Sequence, residues 1–149
     1  MFNKKKSQIL FFIILIIISL YLFLQFNMEI KELTINKEII KVEVAKTVSA
    51  QAKGLANRES LDNNQGMLFI YPDSKIRHFW MKDMNFPIDI IWLNDKKVVG
   101  VEENVPVWGL DGQISRVASN LPVDAVLEVK AGFFASKGLK IGDMVYGLD

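Results

Sequence analysis

At 149 residues, with no cysteine and a formal net charge of +1, the chain has room for one small domain and one core. The missing cysteines exclude disulfides, thiolate nucleophiles and sulfur-ligated metals. Acids and bases are interspersed apart from the cluster Lys4, Lys5 and Lys6, so the concentrated basic footprint of a nucleic-acid partner is missing.

In chain order the first element is an uncharged run from Ser7 to Met28, whose middle, Ile9 to Phe26, reads "ILFFIILIIISLYLFLQF". As a helix such a run reaches about 30 Å, the thickness of the hydrocarbon core of a bilayer. A buried helix of a soluble protein keeps a polar face, and this run has none. The preceding lysines hold the N-terminus in the cytoplasm by the positive-inside rule, which puts the rest of the chain outside. Signal-peptide cleavage wants small residues after a shorter apolar region, whereas "SLYLFLQFNME" offers bulky ones, so an uncleaved anchor is favoured. Residues 1–28 are therefore expected to form a cytoplasmic basic start and a transmembrane anchor, with the lipid bilayer as partner through Ile9 to Phe26. Residues 29–38 read as a tether or first strand, and residues 39–149 as an extracytoplasmic domain.

"IIKVEVA", Ile39 to Ala45, alternates Ile40, Val42 and Val44 with charged neighbours, the period of a half-buried strand. In "TVSAQAKGLANRESL" a short helix is expected, with Thr47 or Ser49 as its N-cap and Gly54 weakening it. Four short strands follow: Gly66 to Tyr71, Arg77 to Met81, Ile88 to Leu93 and Lys97 to Glu103. They are separated by the turns "PDSK", "DMN" and "ND", and such short connections predict consecutive antiparallel neighbours. After a glycine-containing loop around "WGLDGQISR" come the strand "DAVLEVK", the short helix "AGFFASKG" with Gly138 as its left-handed cap, and the last strand "MVYGL".

The segments "AKGLANRESL", "GMLFIY", "HFWMKDMNFPIDIIWL" and "AVLEVKAGFFASKGLKIGD", in this order and spacing, resemble the domain of unknown function family 192, also called uncharacterised protein family 0127. The resemblance covers the chain from about Ile39 to its end. It implies a small, mostly β domain, often exported or membrane-anchored, with no established activity or ligand. Two departures from the family pattern are visible: Lys82 is followed by Asp83 rather than asparagine, and the segment before "VDAVLEV" reads "RVASNLP".

In an extended Arg77 to Lys82, His78, Trp80 and Lys82 share one face and Arg77, Phe79 and Met81 the other. In the next strand Asp89 shares its face only with apolar residues, and a buried carboxylate needs a partner. Lys82 is the nearest candidate through the tight "DMNF" connection. A register-fixing Lys82–Asp89 salt bridge is favoured over a catalytic pair; the functional reading makes Lys82 a cation for an anionic ligand group. His78, the lone histidine, builds neither an imidazole-rich zinc site nor a triad and reads as a solvated strand residue. Trp80, Trp92 and Trp108 could stack on sugar rings but more often serve a core, Trp108 being the one expected exposed. Asp89, Glu102, Glu103 and Asp111 are candidates for a glycoside-hydrolysing pair or a hard-cation site, and their spacing matches no calcium loop. Arg58 and Arg116 suit salt bridges or an anion.

The expected molecule is mainly β (α+β): a single small, mostly antiparallel barrel-like or curled-sandwich domain with two short helices, preceded by an N-terminal transmembrane helix. Candidate ligand-binding residues are Trp80, Lys82, Asp89, Arg58 and Trp108, and no catalytic residue, metal or cofactor is assigned. The leading function is a non-catalytic binding or accessory module of the cell envelope, with an envelope glycan or protein as partner. The alternative is an envelope glycan hydrolase using a carboxylate pair.

Overall fold

The computed structural model describes residues 2–26 and 28–148, with side chains described over 6–20 and 28–148. The helix α1 runs Phe2–Phe26, and residues 6–20 are exposed throughout. Among the described residues no helix is long and apolar enough to cross a membrane. The uncharged run Ser7 to Met28 extends through residues 21–27, so the anchor expected there lies partly outside the described side chains.

The strands β1 (Glu29–Ile35) and β2 (Glu38–Ala45) form a hairpin, so of the two readings of residues 29–38, tether or first strand, the strand holds. Its turn residues Asn36 and Lys37 have φ of 47° and 70°, and a two-residue turn of this left-handed kind matches the twist of the strands it joins. The short helix α2 (Val48–Lys53) starts at Thr47, whose hydroxyl accepts the Ala50 N–H at 3.1 Å. Gly54 ends it at φ 50°. Then follow β3 (Gln65–Lys75), β4 (His78–Trp80), β5 (Ile88–Asn94), β6 (Lys97–Val105), β7 (Arg116–Ala118), β8 (Val123–Lys130), α3 (Phe133–Ser136) and β9 (Val145–Tyr146). Past α3, Gly138 takes φ 62° and Leu139 N–H reaches back to the Phe134 carbonyl, the left-handed termination expected from the sequence.

The seven-stranded sheet has the order β6-β5-β8-β3-β2-β1-β9, and β4 and β7 form a separate ribbon. This corrects the expectation that β3, β4, β5 and β6 are consecutive neighbours. Only β5 and β6 pair directly; β8 inserts between β3 and β5, and β4 leaves the sheet to meet β7, which lies next to the stretch read as loop. A short connection forces antiparallel pairing only on strands that do pair, and here the buried β8 offers both neighbours a more apolar edge than the half-exposed β4. The β2–β3 pair is parallel, joined by the long crossover through α2.

The sheet curls. Its C-terminal segment ties β6 towards β1: Val98 N–H donates to Asp143 O at 2.9 Å and Val145 N–H to Lys96 O at 2.7 Å, while Val145 pairs with Ile35 of β1. The barrel-like expectation holds in this partly closed form.

Both faces of the sheet are covered. On one, Leu33, Val42, Leu68, Ile91 and Leu127 pack under Phe133 and Phe134 of α3. On the other, Met67, Phe69, Ile90, Trp92 and Val126 pack under Leu55, Leu61 and the β4–β7 ribbon. The ribbon is pinned by Phe79, whose ring meets Phe69 and Trp92 edge-on at 5.0 and 5.6 Å. The strand β5 therefore feeds one core with Ile88, Ile90 and Trp92 and the other with Ile91 and Leu93, and alternation turns Asp89 towards α3. At Gly66 the sheet leaves no room for a side chain, since a Cβ would lie 2.7 Å from the Glu128 carbonyl oxygen.

Candidate functional site

Asp89 is fully buried, and its carboxylate is saturated by main chain rather than by a cation. Oδ1 accepts the N–H groups of Asn104 (2.8 Å) and Gly132 (3.0 Å), and Oδ2 accepts that of Phe134 (2.9 Å). The Asn104 donor is delivered by an irregularity in β6, where the register against β5 shifts between Ile88 and Ile90. Lys82 does not pair with Asp89. It is exposed at the end of the ribbon, with Nζ 5.5 Å from the centre of the Trp80 ring. The Lys82–Asp89 bridge expected from the chain connection is thus replaced by a clamp of three N–H groups joining β5, β6 and α3.

Arg58 is likewise committed to the fold. It forks onto Glu43 of β2, at 2.6 and 2.7 Å, and holds that carboxyl below its usual range. Beneath this pair lies Glu128 of β8, a residue the sequence reading passed over. Register places Glu43, Met67 and Glu128 side by side on β2, β3 and β8. Burial pushes the Glu128 carboxyl up to about 8, with the charge of Arg58 opposing the rise. Its Oε2 has no hydrogen-bond partner among the described residues, and Gly54 closes over it, a Cβ there falling 3.9 Å from that oxygen. Nearby Tyr71 is pushed up to about 12 by burial, while the Arg77 guanidinium, 3.8 Å over its ring, pulls the other way. The signal for Glu128 was present in the alternation of "AVLEVK": it shares a face with Val126, in a strand buried on both sides.

Trp80 stands differently. The inward side of the ribbon carries Phe79 and Val117, so its outer side presents His78, Trp80, Arg116 and Ala118, with Trp80 directly opposite Arg116 and 53% exposed. These outer residues line a groove of about 460 Å³. Lys82 lies against Trp80, so an open indole face is bracketed by cations and a histidine. Trp108 is exposed as the sequence predicted, in a separate hairpin closed by its bridge to Ile114. Of the five residues singled out, the structure brings together Trp80 and Lys82; Asp89 and Arg58 are fold-holding groups, and Trp108 lies outside the groove.

Arg116 also borders a larger cleft of about 980 Å³ containing Glu102, Glu103 and Asp111. Asp111 is engaged in its own turn, accepting the Gln113 N–H at 2.9 Å. Among the described residues no group of three metal-ligating side chains comes together.

No curated protein matches the chain. Two solved structures do. One, from Sinorhizobium meliloti 1021 and described as a proposed transcription regulator, is 26% identical with a TM-score of 0.74, covering 81% of this chain and 95% of that one. The other, a protein of unknown function from Novosphingobium aromaticivorans DSM 12444, is 31% identical with a TM-score of 0.72, covering 79% of this chain and 85% of that one. The family profile described as an uncharacterized ACR matches residues 31–147, which takes in every strand from β2 to β9, the Asp89 clamp and the Trp80 groove. The chain belongs to the domain of unknown function family 192.

Proposed function

We propose that this protein is a non-catalytic binding module held at the outer face of the cell membrane by α1, and that it takes an acidic envelope glycan on the Trp80 face of the ribbon. The observation that carries the binding reading is the half-open indole of Trp80 with Lys82 on it and Arg116 opposite. An exposed indole face stacks on a sugar ring, and flanking cations select rings that carry carboxylate or phosphate. The carboxylates of Asp89 and Glu43 are saturated by fixed partners, which leaves them no freedom for acid–base work. Membrane attachment is supported by the apolar side chains of Ile9 to Ile18, each 44–66% exposed and distributed all round the helix, a surface that water does not tolerate and lipid does.

The full chain in lipid nanodiscs, titrated with polygalacturonate, should quench tryptophan fluorescence, with neutral dextran doing so weakly. Trp80→Ala should weaken binding about tenfold, the effect of losing one stacked ring. Lys82→Met should weaken it and reduce its salt dependence. Equal binding by Trp80→Ala and the unaltered chain would reject this face as the site.

A further inference from the structure

Two clefts that flank β6 do not include Trp80, and they share Glu102. The strand β6 is terminal in the sheet, and the C-terminal segment covers it only near Lys97 and Val98. From Val99 to Val105 one side faces β5 and the other carries no strand among the described residues, so alternate N–H and C=O groups point away from the sheet. The larger cleft borders this stretch with Glu102, Glu103 and Asp111 and the fully exposed side chain of Leu110. The smaller, of about 170 Å³, borders it with Trp92, Gly100 and Leu121.

Trp92 is 2% exposed, and its Nε1–H has no hydrogen-bond partner among the described residues. The indole edge next to this nitrogen lies against Gly100, where a Cβ would stand 3.1 Å from Trp92 Cδ1. A buried indole N–H ordinarily finds an acceptor, so an unpaired donor on a residue lining a cleft marks where an incoming acceptor fits.

We propose that the free edge of β6 takes an extended, basic peptide segment of another protein by strand addition, its main chain pairing with Val99 to Val105 and its alternate lysine or arginine side chains meeting Glu102, Glu103 and Asp111. A peptide carbonyl reaches Trp92 Nε1, and small apolar side chains fill the cleft beside Leu121. The acidic rim selects this occupant over a second copy of the chain, because edge-to-edge pairing of two β6 strands would bring their glutamates together. Strand addition gives affinity through the main chain and specificity through pockets for alternate side chains.

The test uses the full chain in nanodiscs and three synthetic peptides: Lys-Val-Lys-Val-Lys-Val-Lys, its glutamate counterpart, and the lysine peptide N-methylated at alternate residues. Binding is read by anisotropy, and the Trp92 indole N–H resonance, assigned with Trp92→Phe, by NMR. The lysine peptide should bind and move that resonance downfield, while the glutamate and N-methylated peptides bind at least tenfold more weakly. The double variant Glu102→Lys, Glu103→Lys should lose the lysine peptide at least tenfold with its circular dichroism unchanged. No binding at millimolar peptide, equal binding of the N-methylated peptide, or self-association of the chain through β6 would each overturn the proposal.

Discussion

Asp89→Ala should lower the stability of the domain by about 3 kcal/mol, because three N–H donors lose their acceptor at once and each buried orphan costs about 1–3 kcal/mol, the two nearer solvent less than the third. Phe134 N–H is the buried one, so its loss dominates. Asp89→Asn should recover only part of this, since the amide keeps one acceptor oxygen and turns its NH₂ towards a main-chain donor. Lys82→Met, by contrast, should move stability by less than about 0.5 kcal/mol, as expected for an exposed side chain outside any ion pair among the described residues. Urea titrations of the three variants separate a main-chain clamp from a Lys82–Asp89 bridge. Under the clamp the aspartate variants fall and the lysine variant does not, whereas a bridge would make all three fall together.

The second large effect concerns Glu128. Its folded carboxyl sits at about 8, against 4.5 when solvated, so the folded state holds a proton that the unfolded state has released throughout that interval. The contribution of this group to stability is therefore fully present below about pH 4.5, falls as pH rises, and is gone above about pH 8. The slope approaches 1.4 kcal/mol per pH unit in the middle of the interval. Glu128→Gln is a neutral isostere and should remove it. The variant should match the unaltered chain near pH 4 and exceed it in stability at pH 8.5, the difference widening steadily between. Parallel stability curves for the two chains across this range would contradict the buried, neutral carboxyl.

The elements of this fold were largely written in local alternation. "IIKVEVA" became β2 within a residue because its period of two needs no distant information, and "IDIIWL" became β5 as a short β-branched and aromatic run between turns. Thr47 and Gly138 cap or stop helices through contacts with near neighbours and were equally legible, whereas Gly54, read only as weakening α2, ends it. The order of strands was not, since the insertion of β8 between β3 and β5 depends on partners more than thirty residues away. Nor was the partner of Asp89. Its need for one followed from its neighbours, but main-chain N–H groups at Asn104, Gly132 and Phe134 carry no letter in the sequence, while Lys82 does. Alternation against Phe79 and Met81 gave the side of the strand on which Trp80 stands, but not its exposure, since tryptophans were expected in the core with Trp108 as the exposed one. Its place opposite Arg116 came only with β7, a three-residue strand too short to announce itself.

The reading of this chain as a displayed binding module depends first on where the domain sits. The absence of native cysteine allows a direct measurement: Ser60→Cys, at an exposed position, labelled with a membrane-impermeant maleimide in intact cells and again after lysis. The account predicts full-length protein in the membrane fraction, labelled before lysis. Full-length protein recovered in the cytosolic fraction and labelled only after lysis would contradict it.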